Sequence, residues 1–443
     1  MKKAEAIEWL ETFTDYEKTT SYSYNAAYFD LNRMKYLLAC LGNPEKQVRY
    51  VHIAGTKGKG STAHFLAEIL RSSGLRTGLY TSPHIISMRE RIKVNGVMIS
   101  EKKLSALVPG LKKAVAATVR HSGFGRPTYF EAYTALAFMH FAREKCAVAA
   151  LETGMGGRLD ATNVIIPLVS VLTPISLDHV KELGNTVAKI AAEKAGIIKN
   201  TVPVVAGPQE KSALKTIENK AKEKGSRLLL YGRDFCVKKV LPLRAGGSTF
   251  NIITPSHHFK RLKISMTGKH QTENAALAVS AAIIALRRLG RADKIEKAVP
   301  LALPRVKLPG RLEYLPGKPG LLLDAAHNAA SALILKKALQ ENYSFKKLVL
   351  VIGMSVNKDI KSVKRILYPL AGFIVAVKSS NYRSAAPSVL LKGAGMKALG
   401  FESVLEGLNY AESIAGKRDL ICVTGSFYVL SDVFNAVSLR YRR

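Results

Sequence analysis

"AGTKGKGST", Ala54 to Thr62, follows the apolar run "YVHI" and precedes the helix-period segment "AHFLAEIL". A strand, a glycine-rich turn and a helix in that order favour phosphate. The turn exposes backbone N–H groups, and the helix N-terminus adds the positive end of its dipole. The common phosphate loop places four residues between its first glycine and Gly-Lys, then Ser or Thr. Here only Thr56 and Lys57 stand between Gly55 and Gly58-Lys59, and Gly60 separates the lysine from Ser61. The spacing predicts a phosphate loop with a shortened arch, with Lys59 reaching the terminal phosphates and Ser61 placed to hold a metal ion. A flexible structural turn is the competing reading.

Outward from the loop, "RYVHIAG", "GLYTS", "CAVAALETG", "VSVLT" and "VPVVAG" read as strands buried on both faces, with helix-period segments between them. That alternation predicts a parallel α/β domain. Residues 226–267 change to alternating patterns ("STFNIITP", "FKRLKISM") and predict a small antiparallel element, followed by a long helix from about Thr272 to Leu289. A second strand series, "GLLLDAAHN", "KLVLVIGM", "FIVAVKS" and "DLICVTGS", begins after the proline-rich "LPRVKLPGR". The fold class is therefore α/β: an amino-terminal, mostly parallel phosphate-loop domain (residues 1–299), a linker (300–312) and a smaller Rossmann-like carboxy-terminal α/β domain (313–443). No internal repeat is visible.

A chain of 443 residues has length for two or three such domains. Hydrophobic residues at 47% and charged residues at 23% are ordinary for a globular protein. "MKKAEAIEWLETF" lacks a signal-peptide core, and "ALAVSAAIIAL" is too short to span a bilayer, so the expectation is a cytoplasmic protein with no membrane partner. Cys40, Cys146, Cys236 and Cys422 lie far apart, which argues against a zinc knuckle or redox motif and fits buried thiols. The formal net charge is +34, a field that attracts polyanions. Yet the basic residues are scattered, and no stretch interleaves them with base-stacking aromatics. The favoured reading is a basic background or general solubility, with an anionic small substrate among the alternatives; no nucleic-acid partner is expected.

In open parallel sheets, ligands sit beyond the carboxyl ends of the strands. Ser82 follows "LYT", Glu152 follows "VAAL", and Asp178 with His179 follows "VSVLTPISL". A hydroxyl, a carboxylate and an imidazole then share one sheet edge with the glycine loop. Hard oxygen donors with an occasional imidazole suit Mg²⁺, which binds through substrate phosphates.

Seven ordered motifs carry a resemblance: "GTKGKGS", "TSPH" with "RERIKVNG", "ETGMGGRLDATN", "LDHVKELGNT", "AEKAGIIK", "PGR" and "DAAHN". Together they resemble the folylpolyglutamate synthase and dihydrofolate synthase family, the folate members of the Mur ligase superfamily, over Asp30 to Ser426. The resemblance implies a Mur ligase central-type first domain and explains the short arch, which the family shares. It also implies roles. Gly55, Thr56, Lys57, Gly58, Lys59, Gly60, Ser61 and Thr62 would cradle the ATP phosphates, with Asn274, Arg311 and Asp324 closing on the nucleotide. Ser61, Ser82, Glu152, His179 and Lys194 would serve two Mg²⁺ ions, Lys194 after carbamylation, with K⁺ as an added candidate. Lys59, Lys194 and His327 would be the catalytic residues. Thr128, Tyr129, Phe130 and Glu131, with Leu159, Asp160 and Ala161, would line the pterin pocket.

The implied reaction is ATP-dependent amide ligation. The acceptor carboxylate takes the γ-phosphoryl group, and the amine of L-glutamate then displaces phosphate. The acceptor is dihydropteroate, a reduced folate, or both, and the enzyme would act as a monomer. A cell-wall amino-acid ligase would need a further domain of about a hundred residues ahead of the loop. A nucleic-acid-dependent ATPase would need salt-sensitive stimulation by DNA or RNA. A catalytically dead binding protein fits poorly with Lys59, Glu152, His179 and Asp324 all being present.

Overall fold

The computed structural model describes residues 3–14, 29–121, 123–243, 247–395 and 397–437. Its larger sheet contains β1 (Arg49–Ala54), β2 (Thr77–Tyr80), β3 (Ile92–Val94), β4 (Val97–Met98), β5 (Val148–Glu152), β6 (Val169–Leu172), β7 (Val204–Ala206) and β8 (Leu228–Leu230). The order across it is β4-β3-β2-β5-β1-β6-β7-β8, with β2, β5, β1, β6, β7 and β8 parallel and the β3–β4 hairpin antiparallel at one edge.

The central strands are buried on both sides, and the period-two alternation of side chains sorts them into two cores. Val51 and Ile53 of β1 and Val148 and Ala150 of β5 enter one core, beside Phe65, Leu66, Ile69 and Leu70 of helix Lys59–Ser72. Tyr50, Ala149 and Leu151 enter the other, against helix Tyr129–Arg143. Burying each such large side chain contributes about 1.5–3 kcal/mol. Leu66→Ala would cost roughly 2–5 kcal/mol, because the packed helix cannot collapse fully into the void.

Register brings the site together. Ile53 pairs with Glu152, Tyr80 with Leu151, and Ala54 with Leu172. The segments after β1, β2, β5 and β6 therefore leave the sheet at one edge.

A three-stranded antiparallel sheet follows, β9 (Cys236–Pro242), β10 (Ser248–Ile253) and β11 (His258–Ile264), in the order β11-β10-β9. Helix Lys269–Arg288 then packs along helix Lys59–Ser72. The second domain holds β12 (Glu313–Leu315), β13 (Gly320–Leu323), β14 (Leu348–Ile352), β15 (Phe373–Val377), β16 (Ala398–Phe401) and β17 (Leu420–Thr424), in the order β12-β13-β17-β14-β15-β16. All are parallel except the edge strand β12.

Several expectations need correction. Leu228–Leu230, inside the stretch read as antiparallel, is the parallel edge β8 of the main sheet. A three-residue apolar run carries too little periodicity to choose its partner. Strands β3, β4, β12 and β16, of two to four residues, are also outside the sequence reading. Cys146 and Cys422 are buried, but Cys40 is exposed and Cys236 only half-buried. In the 300–312 stretch, helix Ile295–Ala302 continues into a 3-10 turn at Leu303–Arg305. Ala302, Leu303 and Val306 are buried in the first domain's core. Among the described residues, no helix is long and apolar enough to cross a membrane.

Candidate active site

Two glycines let the loop close. Gly55 has φ 151°, and a Cβ there would lie 1.9 Å from Thr173 Oγ1. Gly58 has φ 85°, and a Cβ would lie 2.3 Å from Asn274 Oδ1. The glycine loop is thus clamped between the segment after β6 and helix Lys269–Arg288. Asn274 is braced in turn by its Nδ2 donating to Gln271 Oε1 at 3.0 Å.

The arch is short because its first half is tied down. The amides of Thr56 and Lys57 donate to the Pro174 carbonyl at 3.0 and 3.2 Å, and the Thr56 hydroxyl bonds Ser176. Those two amides are not available to phosphate, contrary to the expected cradle. The amides of Lys59, Gly60 and Ser61 belong to the first helical turn, where no intrahelical acceptor reaches them. Thr62 Oγ1 is buried without a partner.

Lys59 Nζ donates to the Gly55 carbonyl at 3.2 Å, and Lys194 Nζ donates to the same oxygen at 2.8 Å. Burial, then the neighbouring Lys59 charge, pushes the Lys194 amine down to about 7. The glycine-rich segment after β5 holds this lysine in place: Gly157 packs on the backbone of Glu193 and Lys194, and Arg158 pairs with Glu193.

Glu152 is 3% exposed and accepts the Ser82 amide at 3.2 Å. Burial pushes its carboxyl up to about 7, against the opposing pull of Lys59 and Arg311. No Lys, Arg or His nitrogen among the described residues lies within salt-bridge distance of it. A Cβ on Gly60 would stand 3.5 Å from Glu152 Oε2, so the carboxylate looks onto the first turn of the loop helix. His179, at φ 49°, caps the start of helix Val180–Leu183; its side chain is exposed, and partial desolvation by the surrounding cleft lowers its pKa despite Asp178. Burial would raise Asp178, but the charges of His179, Lys57, Lys358 and Lys59 outweigh it and hold that carboxyl below its ordinary range. Among the described residues, no three His, Cys, Asp or Glu side chains gather as a ready-made metal cluster.

The second domain closes the ring. Asp324 accepts the amides of Leu312 and Ala326, both at 2.9 Å, and burial pushes it up to about 6 against the opposing Arg311 charge. Arg311 stacks 4.7 Å above the Phe427 ring and keeps a solvent-exposed side. His327 Nδ1 bonds the Ala325 carbonyl at 2.8 Å; burial, with Lys358 and Lys57 nearby, holds the ring neutral. Lys358, in the loop after β14, thus reaches the electrostatics of Lys57, Asp178, His179 and His327. The sequence reading missed it, although it lies in a loop that leaves a strand's carboxyl end, as Ser82 does.

On the other face of the larger sheet, Thr128 caps helix Tyr129–Arg143 in a capping box with Glu131. Glu131 also forms a buried ion pair with Arg33 at 2.9 Å. Asp160 accepts the amides of Gly154, Met155 and Thr162 and the Thr162 hydroxyl. The polar atoms of Thr128, Glu131 and Asp160 are therefore committed to shaping the wall rather than presented to a ligand. The Tyr129 ring lies under the buried Arg91 guanidinium at 5.5 Å, and Phe130 packs against Gly154. Leu159 is half-buried and Ala161 buried.

A glycine loop of the phosphate-binding kind facing a second α/β domain, with Arg311 between them, is the arrangement of a Mur-type ligase. The sequence matches the Mur ligase middle domain over residues 53–282 and the Mur ligase glutamate ligase domain over residues 310–427. It is 35% identical to the dihydrofolate synthase/folylpolyglutamate synthase of Bacillus subtilis, over 95% of this chain and 99% of that protein. Identity to the folylpolyglutamate synthase of Lacticaseibacillus casei is 33%, over 98% of each. The fold superposes on Mycobacterium tuberculosis folylpolyglutamate synthase complexed with ADP at TM-score 0.89, with 29% identity, covering 100% of this chain and 98% of that one. The chain belongs to the folylpolyglutamate synthase/dihydrofolate synthase family of ATP-dependent ligases.

Proposed function

We propose that this chain carries out its family's ATP-dependent addition of glutamate to folates with its own residues in the following roles. Lys59 and the amides of Lys59, Gly60 and Ser61 hold the terminal phosphates, and Asn274, Arg311 and Asp324 hold the nucleotide from the helix, linker and second domain. His327 stands beside the transferring group as a neutral imidazole. An acceptor carboxylate oxygen attacks the γ-phosphorus, the bond from phosphorus to the β–γ bridging oxygen breaks, and ADP leaves with that electron pair. The amine nitrogen of glutamate then attacks the acyl carbon, phosphate departs, and the nitrogen gives up a proton. The residues need only position the reactants and offset charge.

Ser61, Ser82, Glu152 and His179 fit Mg²⁺, because Glu152 is a buried carboxylate with no cation among the described residues in salt-bridge distance. When bound there, the metal supplies neutralisation of the phosphate oxygens. Lys194, with its amine near 7, is partly unprotonated at neutral pH, the form that adds CO₂ to give a carbamate. Tyr129, Phe130, Leu159 and Ala161 offer apolar wall to a pterin.

The observation that carries this reading is the reach of Arg311. Its charge perturbs Glu152 at the end of β5, Lys57 in the loop, His270 at the helix start, and Asp324 and His327 in the second domain. One guanidinium thus serves both walls of the cleft. The test is incubation with ATP, Mg²⁺ and glutamate plus dihydropteroate or tetrahydrofolate, read by mass spectrometry. The expected result is a product heavier by one glutamyl residue with at least one acceptor, and ADP formed in step. ADP release that ignores both acceptors would overturn it.

A further inference from the structure

A second groove, of about 170 Å³, opens on the Leu79 face of β2, the face opposite the tyrosine-lined wall. Three elements line it: helix Lys59–Ser72 through His64, Glu68 and Arg71, the β2–β3 pair through Lys93, and the linker through Arg305 and Lys307. The last two lie just before Arg311, so this groove sits where the chain passes from one domain to the other.

Its charge is unbalanced. Glu68 takes Arg71 through both oxygens, at 2.7 and 2.5 Å, and lies 3.9 Å from Arg305. Among the described residues, Lys93 and Lys307 have no carboxylate within salt-bridge distance, and only the charge of Glu90 reaches Lys93 from further off. Four cations therefore share one carboxylate. Lys93 is half-buried, and its hydrogen-bond partner is a neutral ring, His64 Nε2, at 3.4 Å. Because the ammonium can only donate, Nε2 is the acceptor and the proton sits on Nδ1, which donates to the Gly60 carbonyl at 2.8 Å. Burial holds the His64 ring neutral, so it adds no charge of its own.

A half-buried cation with one long, neutral contact costs desolvation that an anion would offset. The volume falls below the roughly 300 Å³ at which pockets for drug-sized ligands begin, which excludes a nucleotide and suits a compact ion. We propose that this groove binds a compact oxyanion of the phosphate class, held between the phosphate-loop helix and the interdomain linker. Occupancy draws Lys93 away from His64 and so reaches Gly60, the residue facing Glu152, through one side chain. The anion is then a regulator of the phosphate loop that does not enter the reaction.

The test uses the full chain saturated with Mg²⁺ and a non-hydrolysable ATP analogue, so that the catalytic phosphate position is filled. Calorimetric titration is run with orthophosphate and, separately, with glycerol 3-phosphate, at constant ionic strength. Saturable binding of either supports the site and names the source, free phosphate or a phosphomonoester. Affinity is expected to weaken at least tenfold in the exposed double variant Arg305→Ala/Lys307→Ala and in Lys93→Gln. Binding of neither ion, or unchanged affinity in both folded variants, overturns the proposal.

Discussion

Glu152→Gln should make the protein more stable at alkaline pH while removing its activity. The carboxyl is 3% exposed, and burial raises it from the ordinary 4.5 to about 7. For an acid whose folded-state value is raised, the penalty is absent below 4.5, grows as pH climbs towards 7, and is constant above. Ionising a carboxyl raised from 4.5 to about 7 costs roughly 3–4 kcal/mol, at about 1.4 kcal/mol for each tenfold change in the equilibrium. The amide of Gln keeps an acceptor for the Ser82 N–H, so the variant loses the buried charge and little else. At about 2–4 °C per kcal/mol for a domain of this size, the first domain's melting transition should rise by several degrees at pH 8 and hardly at all at pH 4.5. Mg²⁺ should stabilise the parent chain more than the variant, since the carboxylate is what the ion neutralises. Differential scanning calorimetry at the two pH values, with and without Mg²⁺, measures all of this, and glutamate ligation by the variant should fall at least 100-fold. If Glu152→Gln melts lower than the parent at pH 8, the carboxylate is already compensated and the argument for a metal beside it collapses.

Lys59→Ala should abolish turnover while leaving the fold intact, because it removes the lysine proposed to hold the terminal phosphates; near-normal ligation rates would refute the loop assignment. Lys194→Ala should lose activity, partly restored by added short carboxylic acids that stand in for a carbamate. In the parent chain activity should fall as pH drops below about 7, because the protonated amine cannot add CO₂; bicarbonate-independent activity with no rescue would count against carbamylation. Glu131→Ala should destabilise by about 3–5 kcal/mol, since it strands the buried Arg33, and urea titration would show a change too small for that if the pair were solvated.

The phosphate loop was legible because its signals are local: an apolar run, glycines and a helix-period segment within twenty residues of one another. The same holds for Ser82, Glu152 and His179, which a simple rule about strand ends brings to one edge, and the register of β1, β2, β5 and β6 bears that rule out. Motif order was enough to name the family. Other features depended on partners far away in the chain. Thr56 and Lys57 look like ligands in the sequence, but their amides close on Pro174, more than a hundred residues on. Glu131 looks like a pocket residue, yet it is bound to Arg33, 98 residues away. Lys358 comes from a separate domain, and its charge reaches Lys57, Asp178 and His179 only once that domain faces the loop.

The chain's local patterning determined most of the segments that become strands and the strand–glycine loop–helix order on which the proposed phosphate site rests, because backbone geometry and hydrophobic period act over a few residues. Tertiary structure alone decided which polar atoms remain uncommitted and which charges share the cleft. Hydrogen bonds and electric fields act through space, and nothing in the linear order records the Pro174 carbonyl above the loop or the Arg311 guanidinium between two domains.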